Sequence, residues 1–384
     1  MASWGYIMTL MPFLQDLAKL LVAEEAEHPE DKSSFVQFYV DDGNLCAPHR
    51  TMLKVLEFVI TEGPRYGHYL KRSKGTYLLG RCGSAEEAAD RKRALIERFQ
   101  FVESIIRVHP DNALNISTAD AELLYGMEIL GSPVGTEAFT RAWLLVRLEE
   151  LRQTAAKLTA YPDYQCRSLL FRSCFCPKIT HLMRCLRPAL VEEFVGAFES
   201  LKKDIFCSFA DFPNSALLDE DAWTRARLPI SDGGGGFGAN LSDICHSAFA
   251  ASFLAFANSN IGEKFNIKNV VLDVERGANV EISLVRSFVE CYRSLNAVDR
   301  DSFSDIDTFL NLRGTNERTL QGIFSDAVVK SKVKLFKEHI LSKDRHEYAW
   351  FVSAACPESG RWLTVVPKIT RGKQFRFSTL LWTG

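Results

Sequence analysis

Two adjacent carboxylates, Asp41 and Asp42, end the apolar run in Phe38-Tyr-Val-Asp-Asp-Gly-Asn-Leu45. Ionised groups beside an apolar strand are costly unless something compensates them. A hard divalent cation such as Mg²⁺ does so through oxygen ligands. Held still between two strands, Asp41 and Asp42 would be metal ligands suited to phosphoryl transfer. The same residues also make an ordinary turn, because Asp-Gly is common in hairpins for conformational reasons alone. Spacing does not choose between the two.

Three other groups could carry chemistry. Cys166, Cys174, Cys176 and Cys185 cluster around His181. They lack the paired spacing that zinc requires and lie in an apolar stretch, so they read as small buried side chains in helices. Gly233-Gly-Gly-Gly-Phe-Gly238 fits a G-x-G-x-x-G pattern. A dinucleotide site needs a strand before such a run and an acid about 20 residues after it. Pro229 spoils the strand and positions near 258 are Asn and Ser, so a loop between helices is expected. Finally, three stretches hold basic residues and no acid. Residues 65–84 carry Arg65, Lys71, Arg72, Lys74 and Arg81 among Tyr66, Tyr69 and Tyr77. Residues 165–191 carry Arg167, Arg172, Lys178, Arg184 and Arg187, and residues 361–384 carry five more. Such faces position a nucleic-acid duplex through its phosphates, or are simply solvated surface.

The elements that must hold these groups follow from periodicity. Leu10, Phe13, Leu14, Leu17, Leu20 and Leu21 recur at helical spacing over residues 9–25. Phe35-Val-Gln-Phe-Tyr-Val40 reads as a strand, Asp42-Gly43 as a tight turn and Asn44-Leu-Cys-Ala47 as the returning strand. Residues 51–61 read as a helix and residues 76–79 as a short strand. Ser84 with Glu87 forms a capping-box pattern opening a helix to about residue 99. Leu130-Gly-Ser-Pro-Val-Gly135 is turn-rich. From residue 136 to about 201 the period is helical, broken by Pro162, Pro177 and Pro188. The remainder is mainly helical, with an apolar patch at residues 362–366. The expected divisions are 1–135, 136–260 and 261–384.

Composition sets the outer bounds. The 384 residues suffice for two or three domains, and 46 Lys and Arg against 48 Asp and Glu give no global case for nucleic-acid binding. Any basic surface must therefore be local. No run reaches the ~18 apolar residues of a membrane span, so no membrane partner is expected. The apolar N-terminus lacks a basic start and reads as a folded helix. Reduced thiols suit an intracellular protein, nuclear or cytoplasmic.

The run Tyr39-Val-Asp-Asp42 resembles the Tyr-x-Asp-Asp motif of reverse transcriptases, which sits on a hairpin of the polymerase palm. Lys74, before a short strand, resembles the lysine of the next palm motif. Leu130-Gly131 is similar to the Leu-Gly turn that grips the primer end. Ala226-Arg-Leu-Pro229, the glycine run and Ala248-Phe-Ala-Ala-Ser252 resemble the segment after the thumb in non-LTR-type elements, and Gly360-Arg-Trp-Leu-Thr364 and Phe375-Arg-Phe-Ser-Thr-Leu-Leu381 resemble their tail. The resemblance spans residue 9 to the end. It implies an α+β fold: a partial palm, then a mainly α-helical thumb and C-terminal region. It implies RNA-directed DNA synthesis with Mg²⁺, with Asp41 and Asp42 as metal ligands and catalytic groups and Lys74 as a catalytic partner. Deoxynucleotides and an RNA or DNA template–primer duplex are the implied ligands. Tyr39, Arg72, Gly131, Arg167, Arg172 and Lys178 would touch nucleic acid. Members of the family carry fingers, a first palm aspartate and a Gln-Gly motif upstream of the hairpin, and this chain begins too late to hold them. Asp16, on the amphipathic helix, does not replace that aspartate. The expectation is a truncated copy that does not polymerise by itself. The alternatives are a non-catalytic nucleic-acid-binding remnant and an unrelated helical interaction protein.

Overall fold

A computed structural model describes residues 2–29, 34–39, 42–114, 116–210, 215–280, 282–300, 303, 305–311 and 317–355. They form two compact units, 1–140 and 141–384. The fold is mostly helical with a few small strands, α+β in the broad sense.

The first unit holds α1 (Ala2–Glu27), β1 (Phe35–Tyr39), β2 (Asp42–Cys46), α2 (His49–Glu62), β3 (Tyr77–Leu79), α3 (Ala85–Phe99), β4 (Ile106–Val108), α4 (Thr118–Leu124), β5 (Gly126–Ile129) and β6 (Ser132–Gly135). The apolar stripe of α1 does what its spacing dictates: Leu10, Phe13, Leu17 and Leu21 bury against Val55 and Val59 of α2. Each such burial contributes about 1.5–3 kcal/mol. Met52 and Leu56, on another face of α2, pack with Leu95 and Phe99 of α3 and with Phe101 and Ile106. Leu45 of β2 packs against both clusters, which anchors the first hairpin to the helices. At the start of α3 the Ser84 side chain accepts from the Glu87 amide, while Glu87 Oε2 accepts from the Gly83 amide at 2.9 Å. The cap therefore forms as its pattern suggests, with the return bond shifted by one residue. β3 has a partner that periodicity did not reveal. It pairs in parallel with β4, Tyr77 opposite Ile106, through the crossover helix α3.

The second unit holds α5 (Glu137–Thr159), α6 (Tyr164–Leu170), α7 (Thr180–Cys185), α8 (Pro188–Ala210), α9 (Glu220–Arg227), α10 (Leu241–Ala257), α11 (Asn260–Lys264), α12 (Ile267–Glu275), α13 (Ser283–Val298), α14 (Ile306–Leu310), α15 (Glu317–Lys343) and α16 (Arg345–Ala354). α5 begins at the end of the first unit and carries the chain into the second. The prolines punctuate this region as expected: Pro162 follows α5, Pro177 opens a 3-10 turn and Pro188 begins α8. A single turn of π-helix, Phe171–Phe175, separates α6 from that 3-10 turn. The division expected near residue 260 does not occur. One end of α10 (Leu241, Cys245, Ala248) belongs to a cluster with α5, α7 and α8, and the other (Phe249 to Ala257) to a cluster with α13, α14 and α15. A helix buried along its length joins what its sequence neighbourhood seemed to separate.

The glycine run is a loop between a 3-10 turn (Ile230–Asp232) and α10, with no strand before it. It folds back on the end of α9. The amides of Gly234, Gly235, Gly236 and Phe237 donate to the carbonyls of Pro229, Arg225, Leu228 and Ala226. A Cβ on Gly234 would lie 2.2 Å from the Leu228 carbonyl oxygen and one on Gly233 2.4 Å from that of Phe351. Close backbone approach explains the glycines without a nucleotide.

Candidate functional site

The carboxylate hairpin forms, with a register that differs from the sequence reading. β1 and β2 pair antiparallel, Tyr39 opposite Asp42 and Phe38 opposite Gly43. Asp42-Gly43 therefore lies within β2 and is not the turn. The ladder has five paired positions, from Phe35 with Cys46 to Tyr39 with Asp42. Val40 and Asp41 fall between the paired positions and lie outside the described residues.

Lys74 sits in a turn just before β3, its amide donating to the Lys71 carbonyl at 3.0 Å. Its side chain is exposed and has no partner among the described residues. Lys71 is likewise exposed and unpaired among them, and Tyr69, in the same loop, is 73% exposed. The other residues of this basic stretch are engaged. Arg72 donates to Gln100 Oε1 at 2.5 Å, Arg65 pairs with Glu62 at 2.6 Å and Arg81 with Asp111 at 3.1 Å. Tyr66 donates to Asp16 at 3.0 Å. Tyr77 lies against Phe101, and burial pushes its hydroxyl up to about 12. The exposed cations of this stretch that pair with no described residue are thus Lys71 and Lys74.

Gly131 occupies the second position of a two-residue hairpin turn, with Ile129 paired to Ser132. Leu130 and Gly131 both have positive φ, 51° and 79°. Positive φ at both positions is the signature of a type I′ connection, which matches the twist of the strands it joins.

The second basic stretch divides sharply. Arg167 is 7% exposed, and its guanidinium donates to the carbonyls of Tyr161 and Ser208 and lies over the Phe209 ring. It satisfies the Tyr161 carbonyl just past the end of α5 and the Ser208 carbonyl in α8, a structural task that occupies the group expected to meet phosphate. Arg184 donates to Gln321 Oε1 at 2.6 Å. Lys178 is exposed with no partner among the described residues, and Arg172 is half-buried with none. The cysteines among them also depart from expectation. Cys166, Cys174 and Cys185 are exposed, because each lies on the outer side of its turn, and Cys176 is half-buried. The third stretch, residues 361–384, lies outside the described residues.

Arg172 opens onto a cavity of about 430 Å³ lined by Leu169, Ser173, Cys176, Gly236, Phe237 and Gly238. Burial holds its guanidinium below its ordinary range, opposed in part by the Cys176 thiol. The sequence contained both halves of this chamber, the basic stretch and the glycine run, but nothing in it joined them. Beneath them, fully buried Lys202 donates to Glu199 Oε1 at 2.9 Å and to the Ala239 carbonyl at 3.2 Å, and Glu199 accepts from the Leu241 amide at 2.8 Å. A buried charge tolerates its position only when paired in this way.

Compared with protein-family models, curated proteins and solved structures, the chain matches none. No helix among the described residues is long and apolar enough to cross a membrane. Nor do the described residues gather three His, Cys, Asp or Glu side chains around a metal-sized space. Asp16 is already bound to Lys19 at 2.8 Å and to Tyr66. Asp41 and the side chain of Asp42 lie outside the described residues.

Proposed function

We propose that this chain is a reverse-transcriptase-like protein that holds template–primer duplex without extending it. The observation that carries the reading is the antiparallel hairpin that sets Tyr39 opposite Asp42, with the Tyr-Val-Asp-Asp run spanning its connection. In this reading β1 and β2 belong to a palm, the Leu130-Gly131 turn is a primer grip and α5 to α8 are a thumb. Asp41 and Asp42 are the carboxylates of a parent nucleotidyl-transfer site that would use Mg²⁺ and deoxynucleotides. Asp41 and Asp42 alone do not clamp both metals and the incoming nucleotide, so extension would need a further carboxylate and duplex binding is the activity expected of the described residues. The exposed ammonium groups of Lys71, Lys74 and Lys178 supply phosphate contacts, which position a duplex without reading its sequence.

The test measures extension and binding together on a primed RNA template. With Mg²⁺ and deoxynucleotides no product should form. Duplex affinity should fall steeply with salt, and Lys74→Ala with Lys178→Ala should flatten the slope by roughly one phosphate contact each. Incorporation that vanishes on Asp41→Ala would show that another carboxylate completes the site. Affinity and salt slope unchanged in the double variant would remove these lysines from the interface.

A further inference from the structure

The cavity beside the glycine loop contains a cation that its surroundings leave unneutralised. The guanidinium of Arg172 is half-buried and meets no carboxylate, carbonyl or other partner among the described residues. Its neighbours in the same unit show how such groups are ordinarily satisfied. Arg167 donates to backbone carbonyls, Arg184 to Gln321, and Arg225 to Glu347 at 2.7 Å. Arg172 is half-buried and lines an open cavity, so its unpaired guanidinium is placed to meet an anion that enters there.

The chamber is shaped around that group. A Cβ on Gly236, at φ of +67°, would stand 2.8 Å from Ile230 and 3.3 Å from Arg172 Nη2, so the loop passes close to the guanidinium at a position that favours glycine. Gly238, with φ of +86°, turns the loop away and leaves open space where its side chain would be. Ser173, beside Arg172 on the same π-helical turn, is exposed and also lines the cavity. The lining contains no Asp or Glu. Glu199, an acid acting on Cys176, is tied to Lys202 and to the Leu241 amide. A volume of about 430 Å³ falls in the range of small-ligand sites.

We propose that this chamber binds a phosphate group, clamped by Arg172 with the Ser173 hydroxyl as a further donor. The planar fork of a guanidinium presents parallel N–H groups to two phosphate oxygens. The assignment of that phosphate to nucleic acid rests on the function proposed above; the anion chemistry does not.

Equilibrium dialysis of the full chain against radiolabelled inorganic phosphate, at constant ionic strength, tests the site. The parent should bind one phosphate saturably, and Arg172→Met should weaken it by about tenfold or more. Methionine removes an unpaired charge and keeps the apolar stem, so the fold should persist, as circular dichroism would check. Should it not persist, Arg172→Lys keeps the charge without the fork and should still lose several-fold. Lys157→Ala, an exposed cation on α5 of the same unit, should leave phosphate binding unchanged. A folded parent with no saturable phosphate binding, or Arg172 variants with parental affinity, would overturn the proposal, as would acetate competing equally well. Oligonucleotides with and without a 5′-phosphate identify the source. Competition by both supports a backbone phosphate, and competition by the phosphorylated one alone supports a terminal phosphate. Competition by neither, with inorganic phosphate still bound, supports the anion site while removing nucleic acid as its ligand.

Discussion

Asp221 on α9 accepts from Lys343 Nζ at 2.7 Å and lies 3.1 Å from His339 Nε2, both on α15. Burial raises its carboxyl pKa, but the hydrogen bonds from Lys343 and His339 outweigh that and hold it below the ordinary value of 3.8. A carboxyl depressed by folding adds stability above its ordinary value and loses it as pH falls through the depressed one. Asp221→Asn should therefore cost about 1 kcal/mol near neutral pH, discounted because both cationic partners are half exposed. The deficit should shrink as pH is brought below 3.8. Urea unfolding at several pH values measures it, and a pH-independent deficit would mean that packing, not charge, is lost. The same scale shows why Arg167 and Arg172 could not be told apart in sequence. They stand five positions apart in one basic stretch. One is covered by the end of α5 and the ring of Phe209, the other faces a cavity.

At the scale of elements the β5–β6 hairpin is held by a turn that its own residues strain. Leu130 adopts φ of 51°, a region that disfavours residues with a Cβ by about 1–2 kcal/mol. Its side chain is 45% exposed, so packing does not account for the choice. Leu130→Asn should raise stability by about 0.5–1 kcal/mol, because Asn tolerates this conformation. Gly131→Ala should lower it by about 1 kcal/mol. A Cβ there meets nothing within 4 Å, so the cost is conformational alone. Thermal unfolding of the two variants checks the pair, and equal shifts of one sign would refute the turn geometry. Short elements of this kind are legible when the local letters are strong. The Ser84 cap and the proline breaks could be read directly, whereas β4 could not. Three residues carry no period, and the strand exists because β3 and α3 bring a partner to it.

For the whole molecule the informative comparison is between the two compact units and the three expected divisions. A fragment covering residues 137–355 retains both clusters that α10 joins and should fold with helical circular dichroism and cooperative urea unfolding. A fragment ending at residue 260 keeps α10 but removes α13 and α15, exposing Phe249, Phe253 and Leu254. It should be aggregated or unfolded at the same concentration. If both fragments fold equally well, the boundary near 260 is real and α10 does not bind its two clusters into one unit.

What the sequence by itself determined lies at short range. The apolar stripe of α1, the cap of α3, the prolines before and within α6 to α8, and the strand ending at Tyr39 depend on residues within a turn or two of each other. Local periodicity and backbone chemistry carry that information. What only the tertiary structure decided lies between distant segments. It set the register that draws Asp42-Gly43 into β2, and it joined β3 to β4 across α3. It placed α10 in two clusters at once, and it set Arg172 against a glycine loop more than 60 positions away. The physical reason is the same throughout. Which face of a charged helix meets water is fixed by what packs against it, and that partner is not a neighbour in the chain.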